Sequence, residues 1–332
     1  MIATRSGVVS TEVPTKEVSI VSAITGLPAL AAPASEKWVF LTGRPPASEF
    51  VHYVKLNTVG GTARDMSELM DIWRTANDRI QELERDDAGA ADHTQSEPLP
   101  ADMVPFADRV LGDPIVPSAF GAVPSGLGWV ELDRLVVFQK HINLRYVEEL
   151  RAQLGDTPTP EELFKFALPY DHPVPPVLTA TATNGWVLTS PSADFRVLGA
   201  ESLDPSRVTG LQLNGTPAAV LAVLVGHGSN YLNVVSAEGR LILNNGSHRA
   251  YALREAGYTH APAIVQNVTR RDELELVSEE VHKNADRYFV AGRPPMLKDY
   301  FEPQLRQVLL RPRLAMQVQV GISVQPMMVP LQ

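Results

Sequence analysis

Hydrophobic residues recur at helical spacing in several parts of the chain. Over residues 65–84, apolar side chains repeat every three or four positions on one face, while the other face is charged, which predicts an amphipathic helix. A second helix is expected near residues 144–154. A third begins at Thr159, because a capping threonine is followed by proline and then by two glutamates at the positive end of the helix dipole.

Strand-like runs occupy much of the remaining sequence. Apolar runs separated by glycine, asparagine and proline turns fill residues 174–225. Further strands are expected near residues 130–138 and 240–243, and residues 37–53 are expected to form a strand, a turn and an extended segment. Because helical and strand patterns both recur, the chain is expected to belong to the α+β class.

The C-terminal region is expected to contain two helices followed by an alternating strand. The helices are predicted over residues 269–286 and around 298–310. From residue 314 to 325 the even positions are apolar and most of the odd ones are polar, and no acidic residue follows Glu302. A strand with so little charge would aggregate if left unpaired. It is therefore expected to pair, either within the fold or as an exchanged arm in a homo-oligomer.

An acidic, proline-interrupted run separates the first strand and helix from the rest. Residues 85–102, RDDAGAADHTQSEPLPAD, have the small and charged composition of an exposed linker. Residues 1–104 are accordingly expected to form an N-terminal α/β region that ends in this linker.

Composition narrows the classes of protein that fit. The 332 residues are 44% hydrophobic and 20% charged, which is typical of one large or two modest globular domains. The chain has no cysteine, so disulfides, thiolate metal sites and cysteine nucleophiles are excluded. A cytoplasmic location is expected, because the apolar stretch after Lys16 has acidic flanks and a central proline, unlike a signal peptide.

Charge and hydropathy also argue against two kinds of partner. No apolar run approaches the roughly 20 residues that a membrane-spanning helix requires. The net charge is −9, and Lys and Arg do not form a run, so nucleic acid is not expected as the main ligand. The eight histidines show no metal-binding spacing, and no protein-held metal is expected.

The tetrapeptide GRPP occurs twice, at residues 43–46 and 292–295, each time after an aromatic-rich run. The repeat is typical of two similar turns. The repeat would indicate a functional site only if the two loops lie next to each other in the fold, because Arg44 and Arg293 would then form the rim of one anion-binding site.

The strongest chemical signal is a glycine turn between a strand and a helix, Asn244-Asn245-Gly246-Ser247-His248-Arg249. A helix start has unpaired amides and a partial positive charge, so it suits a phosphate. Gly246 permits a left-handed turn and Ser247 can cap the helix or donate its hydroxyl. The guanidinium of Arg249 is a positively charged donor that can make two parallel hydrogen bonds, and His248 can donate to an oxyanion or relay a proton near neutral pH. The same residues also fit an ordinary turn and a surface helix start.

The stretch LILNNGSHRAYALREAGYTHAPAIV resembles the signature of the ParB/sulfiredoxin superfamily, in which Gly-x-His-Arg or Gly-x-x-Arg begins a helix. Upstream, LDRLVVFQKHINLRYVEELRAQL resembles the opening strand and helix of that fold. The resemblance covers roughly residues 129–268 and implies a ParB/sulfiredoxin-like mixed sheet with helices. The corresponding domain is expected over 105–268, with an insertion near 179–237, and residues 269–332 would add helices and a β-strand arm.

The resemblance implies a binding site for the phosphates of ATP or another nucleotide. Mg²⁺ would enter bound to the nucleotide. The residues that match this site are Lys140, Asn245, Gly246, Ser247, His248 and Arg249. Phosphoryl transfer or nucleotide hydrolysis is one implied activity, resting mostly on electrostatic positioning.

The chain departs from the enzymes of that superfamily at two positions. Ser247 stands where sulfiredoxin-like members have a catalytic cysteine, and Asn245 stands where the free-serine kinases have an aspartate. Catalysis by His248 would then need a carboxylate from elsewhere, for which Glu131, Asp133 and Glu148 are the candidates. A non-catalytic binding or assembly protein that retains the fold is the alternative. A DNA-associated factor or nuclease is a further one, which the charge disfavours.

Overall fold

The structure, a computed structural model, describes residues 35–44, 46–208, 210 and 214–328. These residues divide into a large unit, residues 35–173 and 229–313, and a small unit, residues 174–228 and 314–328. The expected insertion near 179–237 thus corresponds closely to the inserted part of the small unit. The apolar stretch after Lys16 lies outside the described residues.

The described chain combines helices and strands, as the α+β expectation requires. Its helices are α1 (Ala47–Asn57), α2 (Met66–Asp86), α3 (Val104–Leu111), α4 (Ile115–Phe120), α5 (Leu144–Leu154), α6 (Pro160–Ala167), α7 (Ser247–Glu255), α8 (Leu274–Val277), α9 (Glu279–Lys283) and α10 (Ala285–Phe289). Its strands are β1 (Ser35–Leu41), β2 (Ser125–Glu131), β3 (Val136–Val137), β4 (His141–Asn143), β5 (Leu178–Ala182), β6 (Gly185–Ser190), β7 (Phe195–Leu203), β8 (Val220–His227), β9 (Asn233–Ala237), β10 (Arg240–Asn245), β11 (His260–Asn267), β12 (Arg306–Pro312) and β13 (Met316–Gly321).

A mixed five-stranded sheet in the order β2-β11-β9-β10-β3 forms the centre of the large unit. Strands β3, β9, β10 and β11 are largely buried, whereas the edge strand β2 is partly exposed, and the sheet packs against α5, α6 and α7 in the main hydrophobic core. Strand β10 runs parallel to β3, with Ile242 beside Val136. Because parallel strands end at the same edge, the start of α7 lies at the same edge of this sheet as the residues that follow β3.

A second sheet, in the order β12-β1-β4, ties the N-terminal region into the large unit. Val39 and Leu41 of β1 contribute to the main core, whereas Phe40, on the opposite face, packs against α1 and α2. The boundary expected near residue 104 is therefore not where the described chain divides. Residues 85–102 also pack in part onto this unit: Ala91 is buried, and Glu97 exchanges backbone hydrogen bonds with Trp129.

The helices with clear start signals form where they were predicted. Helix α2 begins after the capping residue Asp65, and α5 has the predicted bounds. Helix α6 follows Thr159, whose side chain and that of Glu162 form a reciprocal capping box.

Three predicted segments differ from the structure. The extended segment after the first GRPP turn is helix α1, which buries Phe50, Val51 and Val54 on one face. The helix expected over residues 269–286 is broken into the short helices α8, α9 and α10. The helix expected around 298–310 is a short 3₁₀ turn followed by β12, because β12 supplies the antiparallel partner of β1. For β12, the long-range pairing with β1 outweighs the local helical pattern.

The small unit contains a three-stranded sheet, β13-β6-β5, and a two-stranded ribbon, β7-β8. The alternating C-terminal strand is β13. It pairs with β6 inside the unit, with Val318 and Val320 half-buried, which corresponds to the first of the two expected arrangements. The outer edge of β13 has no partner among the described strands, so pairing with a second chain stays a prediction. Within the described residues, no helix is both long enough and apolar enough to cross a membrane.

Candidate anion site at the start of α7

The turn between β10 and α7 requires a glycine. Gly246 has a φ of 86°, in the left-handed region that side chains disfavour. A Cβ atom there would also lie 2.9 Å from the Cα of Leu232, a backbone atom of the neighbouring segment. Conformation and close packing thus select the same residue, and together they fix the direction in which α7 leaves the sheet.

The first amides of α7 have no hydrogen-bond acceptor among the described residues. Side-chain caps begin helices α2, α5 and α6, and they come from Asp65, Asn143 and Thr159. Helix α7 has no side-chain cap, and among the described residues no acceptor contacts the amides of Ser247, His248 and Arg249. Asn245 cannot serve as the cap, because its Oδ1 accepts from the Gly246 amide and its Nδ2 donates to the Ser229 carbonyl. These amides are the donors that an anion would use.

His248 is held as a neutral imidazole. Its Nε2 accepts a hydrogen bond from the Asn143 amide at 3.0 Å, which assigns its proton to Nδ1. Burial, with a further contribution from His141, lowers the pKa of His248 to about 4. A proton relay near neutral pH is therefore disfavoured. What remains is the Nδ1–H group, which has no acceptor among the described residues and can donate to an oxyanion.

Arg249 points into the protein and not outward. The side chain is 5% exposed, and its Nη1 donates to the Phe166 carbonyl at 2.6 Å. Its Nε donates to Oδ1 of Asn230 at 3.3 Å, and the guanidinium stacks over the Phe166 ring. Burial lowers the pKa of Arg249, yet no carboxylate pairs with it among the described residues. Its positive charge therefore acts on the start of α7 without a direct counter-ion.

The structure brings some of the predicted site residues together and separates others. Residues 245–249 form one turn, and Lys140 lies at the same edge of the sheet, in an ion pair with Glu49. Asp133 instead binds Arg254, with 2.8 Å between Oδ1 and Nε, roughly two turns along α7 from its first residue. Glu131 lies 3.9 Å from Arg134. Neither of these two carboxylates is hydrogen-bonded to His248.

Several side chains next to His248 were not anticipated. Asn143 caps α5, and its Nδ2 donates to Glu36 at 2.9 Å. Trp38 and Tyr146 place their rings edge-on to the imidazole, at centroid distances of 6.5 and 5.3 Å. Asn143 had a local signal, since asparagine before a helical pattern is a typical cap. Glu36 and Trp38 had none, because their positions depend on the pairing of β1 with β4.

Comparison with known proteins adds no family to this description: no family model, curated protein or solved structure matches the chain. Within the described residues, no cluster of three or more histidine, aspartate or glutamate side chains is arranged to hold a metal ion. The geometry at the start of α7 is therefore the basis on which a function can be inferred.

Acidification should weaken the fold through the imidazoles of His248 and His141. The pKa of each is lowered from 6.5 to about 4, first by burial, so the folded state binds fewer protons than the unfolded state between these values. The contribution of these two imidazoles to the free energy of unfolding should fall as the pH drops from 6.5 towards 4 and should level off below that. Urea unfolding at a series of pH values measures this slope.

The variant His248→Gln separates this effect from other acid-sensitive groups. Its amide oxygen can still accept from Asn143 but does not titrate. The variant should lose stability less steeply than the natural chain over the same pH range. Equal slopes would contradict the assignment of a buried neutral imidazole.

Proposed function

We propose that this chain binds the phosphates of a nucleotide at the start of α7, in a large unit that has the ParB/sulfiredoxin-like fold. The observation that carries the proposal is the set of three uncapped amides, of Ser247, His248 and Arg249, which follow the left-handed turn at Gly246. Ser247 is partly exposed, so an anion can reach the first turn of α7. The order of β10, glycine turn and α7 supports the fold assignment.

The neighbouring groups favour an anion over a neutral ligand. The Nδ1–H of neutral His248 adds a donor, and buried Arg249 adds a positive charge that has no direct ion-pair partner within the described part of the chain. Lys140, at the same edge, can exchange its contact with Glu49 for one with a phosphate. ATP and other nucleotides supply the required charge, and Mg²⁺ would arrive bound to the phosphates, since it prefers phosphate oxygens and water to all-protein cages.

The arrangement favours binding over phosphoryl transfer. Asp133 is held by Arg254 and Glu131 lies near Arg134, so neither is placed to take a proton from an acceptor at the α7 turn. Ser247 has no hydrogen-bonded base, which leaves its hydroxyl a weak nucleophile. We therefore favour a binding or assembly protein that is controlled by a bound nucleotide, and not an enzyme that transfers phosphoryl groups.

Replacing Ser247 with aspartate tests the site, because the new carboxylate would lie at the first turn of α7 and compete with phosphate for its amides. We expect ATP to bind at least tenfold more weakly, measured by calorimetry on the full chain with Mg²⁺ present. Thermal stability should be unchanged or slightly higher, because an acid at a helix start interacts favourably with the helix dipole.

Ser247→Ala is the matched control, because it removes the hydroxyl but leaves the amides accessible. It should bind ATP almost as well as the natural chain. Equal affinity in the aspartate variant would reject the α7 site. Phosphate release measured on the same samples decides between binding and hydrolysis, and ADP and CTP titrations rank the nucleotides.

A further inference from the structure

Two chain segments attach the small unit to the large unit. The chain leaves the large unit after residue 173 and returns to it at residue 229. Residues 168–173, which follow α6, are called the outgoing segment, and residues 229–232, which precede β9, are called the return segment. Both segments belong to the large unit, and the return segment lies against the start of α7.

Hydrogen bonds join the return segment to both sides of the glycine turn. The Ser229 carbonyl accepts from Nδ2 of Asn245 at 2.6 Å. Oδ1 of Asn230 accepts from Nε of Arg249 at 3.3 Å. The residue before Gly246 and the arginine of the first helical turn are therefore both held by the return segment.

Backbone packing adds to these bonds. The Cα of Leu232 lies so close to the turn that a Cβ at Gly246 would approach it to 2.9 Å. The Leu232 amide donates to the Ala167 carbonyl at 2.9 Å, which fixes the end of the return segment to the end of α6. A movement of the turn would therefore require a movement of the return segment, because backbone atoms in contact cannot rotate away as a flexible side chain can.

A single carboxylate joins the two segments to each other. Oδ2 of Asp113 accepts from the Tyr231 hydroxyl at 3.1 Å and is also hydrogen-bonded to Nε2 of His172, in the outgoing segment. Burial alone would raise the pKa of Asp113, but these two donors and the Ile115 amide lower it. The carboxylate is therefore charged at neutral pH and holds both segments.

We propose that the return segment couples the anion site at the start of α7 to the attachment of the small unit. An anion on the first amides of α7 would fix the turn, and Asn245 and Arg249 would then hold the return segment more firmly. The carboxylate of Asp113 extends this effect to the outgoing segment. The inference rests on the proposed function for the identity of the ligand, and it names the part of the chain that responds to a bound nucleotide.

Asn230 is a positioning residue in this arrangement. Its side chain is exposed and holds the guanidinium of Arg249, which is 5% exposed. Coupling between two sites is reciprocal, so the affinity that an ordered return segment adds is lost when the link between them is removed. Asn230→Ala should therefore bind ATP about fivefold more weakly than the natural chain, although the amides of the turn are unchanged.

Hydrogen exchange measured by mass spectrometry on the full chain tests the coupling without a nucleotide. Ser247→Asp places a carboxylate at the first turn of α7, whereas Ser247→Ala leaves the amides accessible. Peptides that contain residues 229–232 should exchange about fivefold more slowly in the aspartate variant than in the alanine variant. Peptides from α2, which packs in a separate hydrophobic cluster, should exchange equally in the two variants and report any general change in stability.

ATP with Mg²⁺ should slow exchange of the same peptides in the natural chain. This slowing should shrink in Asn230→Ala, whereas a purely structural role of Asn230 would change exchange equally with and without ATP. Asn267→Ala, at the exposed end of β11, is the matched control and should keep the full effect of ATP.

The coupling and the nucleotide site can fail separately. If ATP does not bind, or if Ser247→Asp does not weaken its binding, the proposed function is rejected and the two Ser247 variants still decide the coupling. The coupling is overturned if residues 229–232 exchange equally in Ser247→Asp and Ser247→Ala, whether or not ATP binds. An ATP effect that is undiminished in Asn230→Ala would overturn the positioning role of Asn230.

Discussion

Replacing Arg293 with methionine should lower the free energy of unfolding by about 3–5 kcal/mol, the largest loss expected from a single substitution in this chain. The guanidinium is 1% exposed and makes a two-pronged ion pair with Asp299, which is 3% exposed. Its Nε also donates to Asp87 at 3.0 Å. Methionine can fill much of the volume, but it leaves a buried carboxylate without its counter-ion.

The loss should be partly recovered when Asp299 is replaced as well. A buried ion pair is costly to desolvate, so removing one partner is far more damaging than removing both. Asp299 also accepts from the Met296 amide, so recovery in Arg293→Met/Asp299→Leu should be incomplete. Urea unfolding of the single and double variants measures the coupling between the two residues.

A surface arginine supplies the comparison for this prediction. Arg271 makes ion pairs with Glu238 and Asp286, but all three side chains are substantially exposed to solvent. Arg271→Met should therefore change stability little, because water and salt screen exposed pairs. If Arg293→Met unfolds at the same urea concentration as Arg271→Met, the buried ion pair between Arg293 and Asp299 does not stabilise the fold more than an exposed pair does.

The sequence predicted those elements whose signals are local. Helices α2 and α6 follow the capping residues Asp65 and Thr159. A capping side chain next to an amphipathic run fixes the start of a helix within a few residues. The turn at Gly246 is local in the same sense, since a left-handed φ selects glycine wherever the turn occurs. These are the parts of the fold for which neighbouring residues decide the conformation.

Elements that depend on distant partners were not predictable in this way. Residues 306–312 have a pattern compatible with a helix, but they form β12 because β1 offers an antiparallel edge more than 260 positions earlier in the chain. The division into units has the same origin. The N-terminal strand joins a sheet with β4 and β12, so the acidic run after α2 is not a boundary.

The candidate site also combines features that neighbouring residues determine with features that depend on distant parts of the chain. The features that suit residues 245–249 to an anion, namely the left-handed turn and the uncapped amides, follow from their own backbone. The hydrogen-bond partner of His248 could not be predicted locally, because Asn143 lies 105 positions away in the sequence, at the start of α5. The contact between the two GRPP loops is a stronger example, because Nη2 of Arg44 donates to the backbone carbonyl of Arg293 at 2.6 Å although the two residues are 249 positions apart.

Replacing Gly246 with alanine should cost about 2–4 kcal/mol of stability, from a left-handed backbone that disfavours a Cβ and from overpacking against the neighbouring backbone segment. The new Cβ would lie 2.9 Å from the Cα of Leu232, and backbone cannot rotate away as a flexible side chain can. Relief therefore requires the start of α7 to move. That movement would also displace the amides of Ser247 and His248, so phosphate affinity at α7 should fall together with stability.

Gly257 provides the matched control, because it also has a positive φ, 94°, but has nothing within 4 Å of the added Cβ. Gly257→Ala should cost only the backbone part, about 1–2 kcal/mol, and leave nucleotide binding unchanged. Urea unfolding measures both losses, and ATP calorimetry on the two variants measures whether the turn also sets the ligand geometry. Equal destabilisation by the two alanines would show that α7 tolerates a shift. Unaltered ATP affinity in Gly246→Ala would show that the position of these amides does not determine binding.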